Sequence, residues 1–152
     1  MRRAAALAAA CPKTECHLHL DGSVPPSFLI ERAAARGVAC PGTAPELRKM
    51  LHEMKDAARR ESDANPQRPG SNWGVFDWCN QFLQTSDDLC AASRAIFDGC
   101  AAERVVHAEL RFCPTLHTLG GLAPREALDA VVRGARESAC PSTPFSQKLP
   151  YL

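Results

Sequence analysis

One stretch near the start of the chain, Thr14-Glu15-Cys16-His17-Leu18-His19-Leu20-Asp21-Gly22-Ser23, constrains the fold more than any other. Apolar and polar residues alternate through it before the chain turns at Asp21-Gly22, a strand pattern ending in a turn. Side chains two apart on a strand share a face, so His17 and His19 lie side by side, about 7 Å apart along the chain. At that spacing two imidazoles reach one metal ion. Cys16, Leu18 and Leu20 take the opposite face, which suits packing under a helical layer. Two histidines on one strand face also occur as partly exposed or core residues, so the pattern alone leaves both readings open.

The chain has 152 residues, enough for one domain with a real core. Its net charge of +1 gives no footing for nucleic acid or an anionic membrane, and no stretch is long enough to span a bilayer. None of the eight cysteines is spaced C-x-x-C, which excludes zinc ribbons and thioredoxin-type motifs. Several fall at apolar helix positions, where Cys behaves as a small hydrophobe. They read as free thiols in a reducing compartment, the cytoplasm. Residues 1–11, an Arg pair followed by alanines, resemble a signal peptide only faintly. A short helix or a frayed terminus is the better reading.

Further along, Ser23 is placed to cap a helix that Pro25 and Pro26 open and Gly37 stops. Leu47, Met50, Leu51 and Met54 make the apolar stripe of a second helix from about Pro45 to Ala58. The polar run Arg59–Asn72 reads as an exposed loop. Trp73, Phe76, Trp78, Phe82 and Leu83 form an aromatic helical segment. Thr85, with Asp88 three residues on, caps a helix running to about Ala102. Val105–Phe112 reads as a second strand, with Val106, Ala108, Leu110 and Phe112 on one face and His107, Glu109 and Arg111 on the other. A loop, Cys113–Leu122, leads to a helix from Pro124 that fades by Ala139. Strands joined through helices imply parallel neighbours in an α/β architecture. With the polar faces turned inward, Glu15 is expected close to Arg111.

The string P-K-T-E-C-H-L-H-L-D-G-S resembles the opening motif of the adenosine deaminase family of metal-dependent amidohydrolases. F-D-W-C-N-Q-F-L-Q-T-S-D-D-L and V-V-H-A-E-L-R-F-C-P-T-L-H resemble that family's helical lid region and second barrel strand, and G-L-A-P-R-E-A-L-D-A-V-V-R-G the helix that follows. The resemblance implies the N-terminal part of a (β/α)8 barrel, its first two strands and their helices, over residues 12–139, with a divergent tail at 140–152. It implies zinc as cofactor and hydrolytic deamination of adenosine or a related small-molecule adenine nucleoside or nucleotide. His17 and His19 match the first two zinc ligands. Asp21 matches the residue that binds the ribose hydroxyl end of the substrate. Trp73 and Phe76 match an apolar wall beside it, although packing within the lid explains them equally well.

The family's third histidine and aspartate ligands, and the glutamate of its H-A-G-E motif, have no counterpart in this sequence. His117 and Cys113, beyond the second strand, are the remote substitutes. The chain alone is therefore expected to be inactive. The alternative is a non-catalytic short isoform that acts as a binding partner, with self-association through an exposed barrel edge.

Overall fold

A computed structural model describes residues 7, 9–64 and 73–140. Two parallel strands, β1 (Lys13–His19) and β2 (Val105–Arg111), lie side by side, and every helix between them belongs to the crossover. A crossover of this kind is what parallel pairing requires. The chain enters it through a single turn of helix, α1 (Leu20–Ser23), followed by α2 (Pro26–Ala35) and α3 (Ala44–Ala64). It returns through α4 (Trp73–Asn80) and α5 (Ser86–Ala102). After β2 come a 3-10 turn (Pro114–His117) and α6 (Pro124–Glu137). This is the α/β arrangement expected from the strand–helix order.

The elements follow local chemistry with a few departures. Thr85 caps α5 as expected: its hydroxyl accepts from Asp88 N–H at 3.1 Å and donates to the Asp88 carboxylate at 2.6 Å. Gly37 closes α2 with φ +64°, a backbone setting that suits glycine. Ser23, however, does not cap α2; it ends α1, and Pro25 takes the cap position with Pro26 as the first helical residue. Proline there forfeits only an N–H that has no helical partner. Helix α3 runs on to Ala64, past the expected end at Ala58. Arg59-Arg60-Glu61-Ser62-Asp63-Ala64 is polar enough to suggest a loop, yet Arg, Glu and Ala are strong helix formers. The rest of the expected loop, 65–72, and the tail 141–152 lie outside the described residues.

The main core gathers Leu20, Leu29, Leu47, Phe82, Leu83, Leu89 and Val131, all essentially without solvent contact. Each such side chain contributes about 1.5–3 kcal/mol of transfer free energy. A smaller cluster of Phe97, Val105 and Ala108 lies between α5 and β2. Helices α5 and α6 approach so closely that a Cβ on Gly134 would overlap the Cys90 carbonyl, and the buried Ser93 hydroxyl donates to Val131 O at 2.8 Å. An ion cluster ties α2 to the start of α5: Arg32 Nε lies 2.9 Å from Asp88, and Arg36 also pairs with that buried carboxylate. No disulfide joins the described cysteines. No helix among the described residues is long and apolar enough to cross a membrane.

Candidate metal centre

The strand pairing carries two compensating irregularities. Partners are 92 residues apart at Lys13↔Val105, 93 at Thr14↔His107 and Glu15↔Ala108, and 92 again at Leu18↔Leu110 and His19↔Arg111. Val106 is the extra residue on β2, and Cys16 and His17 of β1 together stand opposite Glu109 of β2. Two residues facing one across the pair is the count of a β-bulge, and such an irregularity in register, called a bulge below, re-aims side chains locally.

The bulges correct three expectations. Glu15 does not share a face with Arg111. It pairs with Ala108, a residue of the α5-facing cluster, whereas Arg111 pairs with His19. Consistently, burial, with Cys140, Glu103 and Glu15 nearby, pushes the Cys100 thiol on α5 up from its ordinary pKa. Cys16, expected under the helices, is exposed at the bulge. Val106, expected on the covered face, is 49% exposed, and Val105 is buried in its place. Alternation assumes an unbroken strand, and a single extra residue reverses it.

At the C-terminal end of the sheet the expected convergence is present. The Nε2 atoms of His17 and His19 are 3.0 Å apart, with the rings stacked at 5.1 Å between centroids. Two nitrogens bound to one tetrahedral zinc at 2.0–2.1 Å would be about 3.3 Å apart, so this pair fits two corners of such an ion. The polar row of β2 faces the same side: Glu109 lies 3.7 Å from His107 and 3.5 Å from Arg111. Arg111 Nη1 reaches to 3.4 Å from His17 Nε2, and its Nη2 donates to Cys16 O at 2.9 Å. The other exposed group of the bulge, His17 N–H, donates to Glu15 Oε1 at 3.0 Å.

Helix α1 carries Asp21 just beyond the strand. Asn80 Nδ2 donates to Asp21 Oδ2 at 3.4 Å, while Asn80 Oδ1 is buried without a hydrogen-bond partner. Burial, and then the Asp21 charge, pushes the neighbouring Cys79 thiol up to about 12. Phe76 closes the other flank, its ring 6.3 Å from that of His19. Its Cε1 would sit 3.2 Å from a Cβ on Gly22, so the bare glycine is what lets α4 come this near. Phe76 and Asn80 are four apart on α4 and so present one face to α1. That spacing was readable in the sequence, but Asn80 did not stand out within an aromatic run. Trp73 begins α4, and its side chain lies outside the described residues. A cleft of about 300 Å³ is lined by Asp77, Asn80, Gln81, Gln84, Thr115, Leu116 and Leu119, and it includes neither of the paired histidines.

The substitute ligands do not join the pair. His117 is 1% exposed, and its Nδ1 lies 2.9 Å from Leu83 O. Burial lowers its pKa, against the smaller opposing pull of the Leu83 carbonyl and Asp21. Cys113 is exposed, with Sγ 3.1 Å from the Thr115 hydroxyl. Among the described residues no three His, Cys, Asp or Glu side chains are grouped to hold a metal. Among the described residues two imidazoles therefore stand together, one fewer than the three protein ligands usual at a catalytic zinc.

The family model for adenosine deaminase matches residues 12–148. An adenosine deaminase of Lacticaseibacillus casei is 32% identical over 125 residues, which is 82% of this chain and 34% of that protein. Among solved structures, an Arabidopsis N6-mAMP deaminase superposes with TM-score 0.65 at 24% identity, covering 88% of this chain and 37% of the other. An amidohydrolase from Burkhoderia ambifaria with bound Zn superposes with TM-score 0.64 at 27% identity, covering 88% and 34%. The two parallel strands and their helices accordingly correspond to part of the barrel of these relatives, and the chain spans about a third of the length of the curated relatives it matches.

Proposed function

The chain belongs to the adenosine deaminase family, and from that membership we propose that it forms part of a zinc-dependent hydrolase that deaminates an adenine nucleoside or nucleotide. The observation that carries this reading is the 3.0 Å approach of the His17 and His19 Nε2 atoms at the strand end. These two residues would hold the metal. A bound zinc ion supplies hydroxide at neutral pH by lowering the pKa of its water. Asp21, steadied by Asn80, accepts a hydrogen bond from a ribose hydroxyl of the substrate. Phe76, beside His19 and packed over Gly22, gives the purine an apolar wall; Trp73, at the start of α4, is assigned to the same wall from the family resemblance alone. The proton-transfer groups and remaining ligands have no counterpart among the described residues, so the 152-residue chain does not turn over by itself. The absence of disulfides fits a cytoplasmic setting.

An antibody raised against residues 12–134 tests the assignment in the source cells. We expect a band more than twice the 16.4 kDa of this chain, in a fraction that deaminates adenosine or its nucleotide. Deamination by the purified 152-residue chain would overturn the reading that it does not turn over by itself.

A second reading has its own observation. Each strand of the sheet has one unpaired edge among the described residues, and Val106 is exposed beside it. A short product with that edge would act by pairing with another chain, a second copy included.

A further inference from the structure

We infer that Arg111 is a positioning residue for the histidine pair: its guanidinium pins the β1 bulge and so fixes where His17 stands relative to His19. The inference rests on the reading of these histidines as metal ligands.

The bulge creates the need. A bulge interrupts the ladder and leaves an unpaired residue. If the strand slipped by one residue there, His17 would turn to the helix-covered face and the pair would be lost. Two side chains hold the bulge from its two sides. Glu15 takes the His17 N–H, and Arg111 Nη2 takes the Cys16 carbonyl at 2.9 Å. Arg111 is itself set by its register partner His19 and by Glu109 at 3.5 Å. Its second arm lies 3.4 Å from His17 Nε2. One planar fork therefore touches the backbone before His17 and the ring of His17 together. A guanidinium does this with rigid geometry, which a single ammonium on a flexible stem does not reproduce. Charge alone argues the other way, because a cation beside a ligand nitrogen opposes a second cation. Any benefit of Arg111 to metal binding must then come from position.

The experiment uses the full 152-residue chain with Arg111→Ala, Arg111→Lys, the double variant His17→Ala/His19→Ala, and Arg94→Ala as a control from the surface pair with Asp98. Two readouts are taken: Zn2+ affinity by competition with a chromophoric chelator, and, without metal, the ring-to-ring nuclear Overhauser effect between His17 and His19 with amide exchange at His17. Circular dichroism and the thermal midpoint monitor folding. If Arg111→Ala costs too much structure, Arg111→Lys decides. The expected result is Zn2+ affinity about tenfold weaker or more in both Arg111 variants, the scale seen when groups that orient metal ligands are removed. The ring contact should be lost and His17 exchange accelerated, with Arg94→Ala unchanged. Equal or tighter Zn2+ binding in Arg111→Ala, or a retained ring contact, overturns the inference. If the double variant binds Zn2+ as the parent does, the metal reading falls, and the ring contact alone then decides whether Arg111 pins the bulge.

Discussion

Cys79 and His117 show how burial tunes single groups around this site. Cys79 is buried, and with Asp21 nearby its thiol is pushed up to about 12. Thiolate is the reactive form. Iodoacetamide at mildly alkaline pH should therefore label exposed Cys11, Cys16 and Cys113 well before Cys79, as read by peptide mass spectrometry. Equal labelling would mean that α4 opens readily. His117 sets a pH dependence. In the unfolded chain it takes up a proton below about pH 6.5. The buried native ring resists protonation until lower pH. The unfolded state then binds more protons, so stability is fully present above that pH and falls as pH drops toward the lowered native value. Urea midpoints between pH 7 and about 5 should decline, and His117→Gln should flatten the decline. Sequence made the His17–His19 pair legible, since alternation works over two residues. It did not reveal that His117 is a core residue on the Leu83 carbonyl, because nothing local distinguishes a buried histidine from a ligand.

Among elements, helix ends and spacings were readable where one residue decides them. Thr85 and Gly37 behave as their chemistry dictates. What local pattern does not carry is an irregularity in pairing. The bulges at Val106 and Cys16-His17 depend on how two distant strands meet, and they turned Glu15 away from Arg111. The closeness of α5 and α6 is equally non-local. Gly134 is an ordinary helix position in sequence, yet a Cβ there would meet the Cys90 carbonyl and stand 2.9 Å from the Ser93 Cβ. Alanine normally favours a helix over glycine by up to about 1 kcal/mol. Here the overlap outweighs that gain. Gly134→Ala should lower stability by about 1–3 kcal/mol, the usual cost of overpacking. Thr85→Ala should cost about 1 kcal/mol through the lost cap. Chemical denaturation measures both, and a stabilised Gly134→Ala would show that α6 shifts freely against α5.

At the scale of the whole molecule, the two strands among the described residues do not close a barrel, and their unpaired edges bear on how this chain behaves alone. Unpaired N–H and C=O groups along an edge are a template for another strand unless something covers them. The described surface adds apolar groups: Val106 is 49% exposed, Leu116 45% and Leu119 87%. Val106 is the significant one, since the bulge turns it out of the layer where alternation would bury it. In a completed barrel the neighbouring strands would take up these edges. The isolated chain should therefore self-associate as concentration rises, with a sedimenting mass above 16.4 kDa. Val106→Lys should return it toward the monomer, because a charge on an edge strand opposes pairing. Its circular dichroism should stay unchanged, since Val106 contributes to neither core cluster. A parent chain that sediments as a monomer at every concentration would show that the edges are protected, and the reading of a self-pairing short product would fall with it.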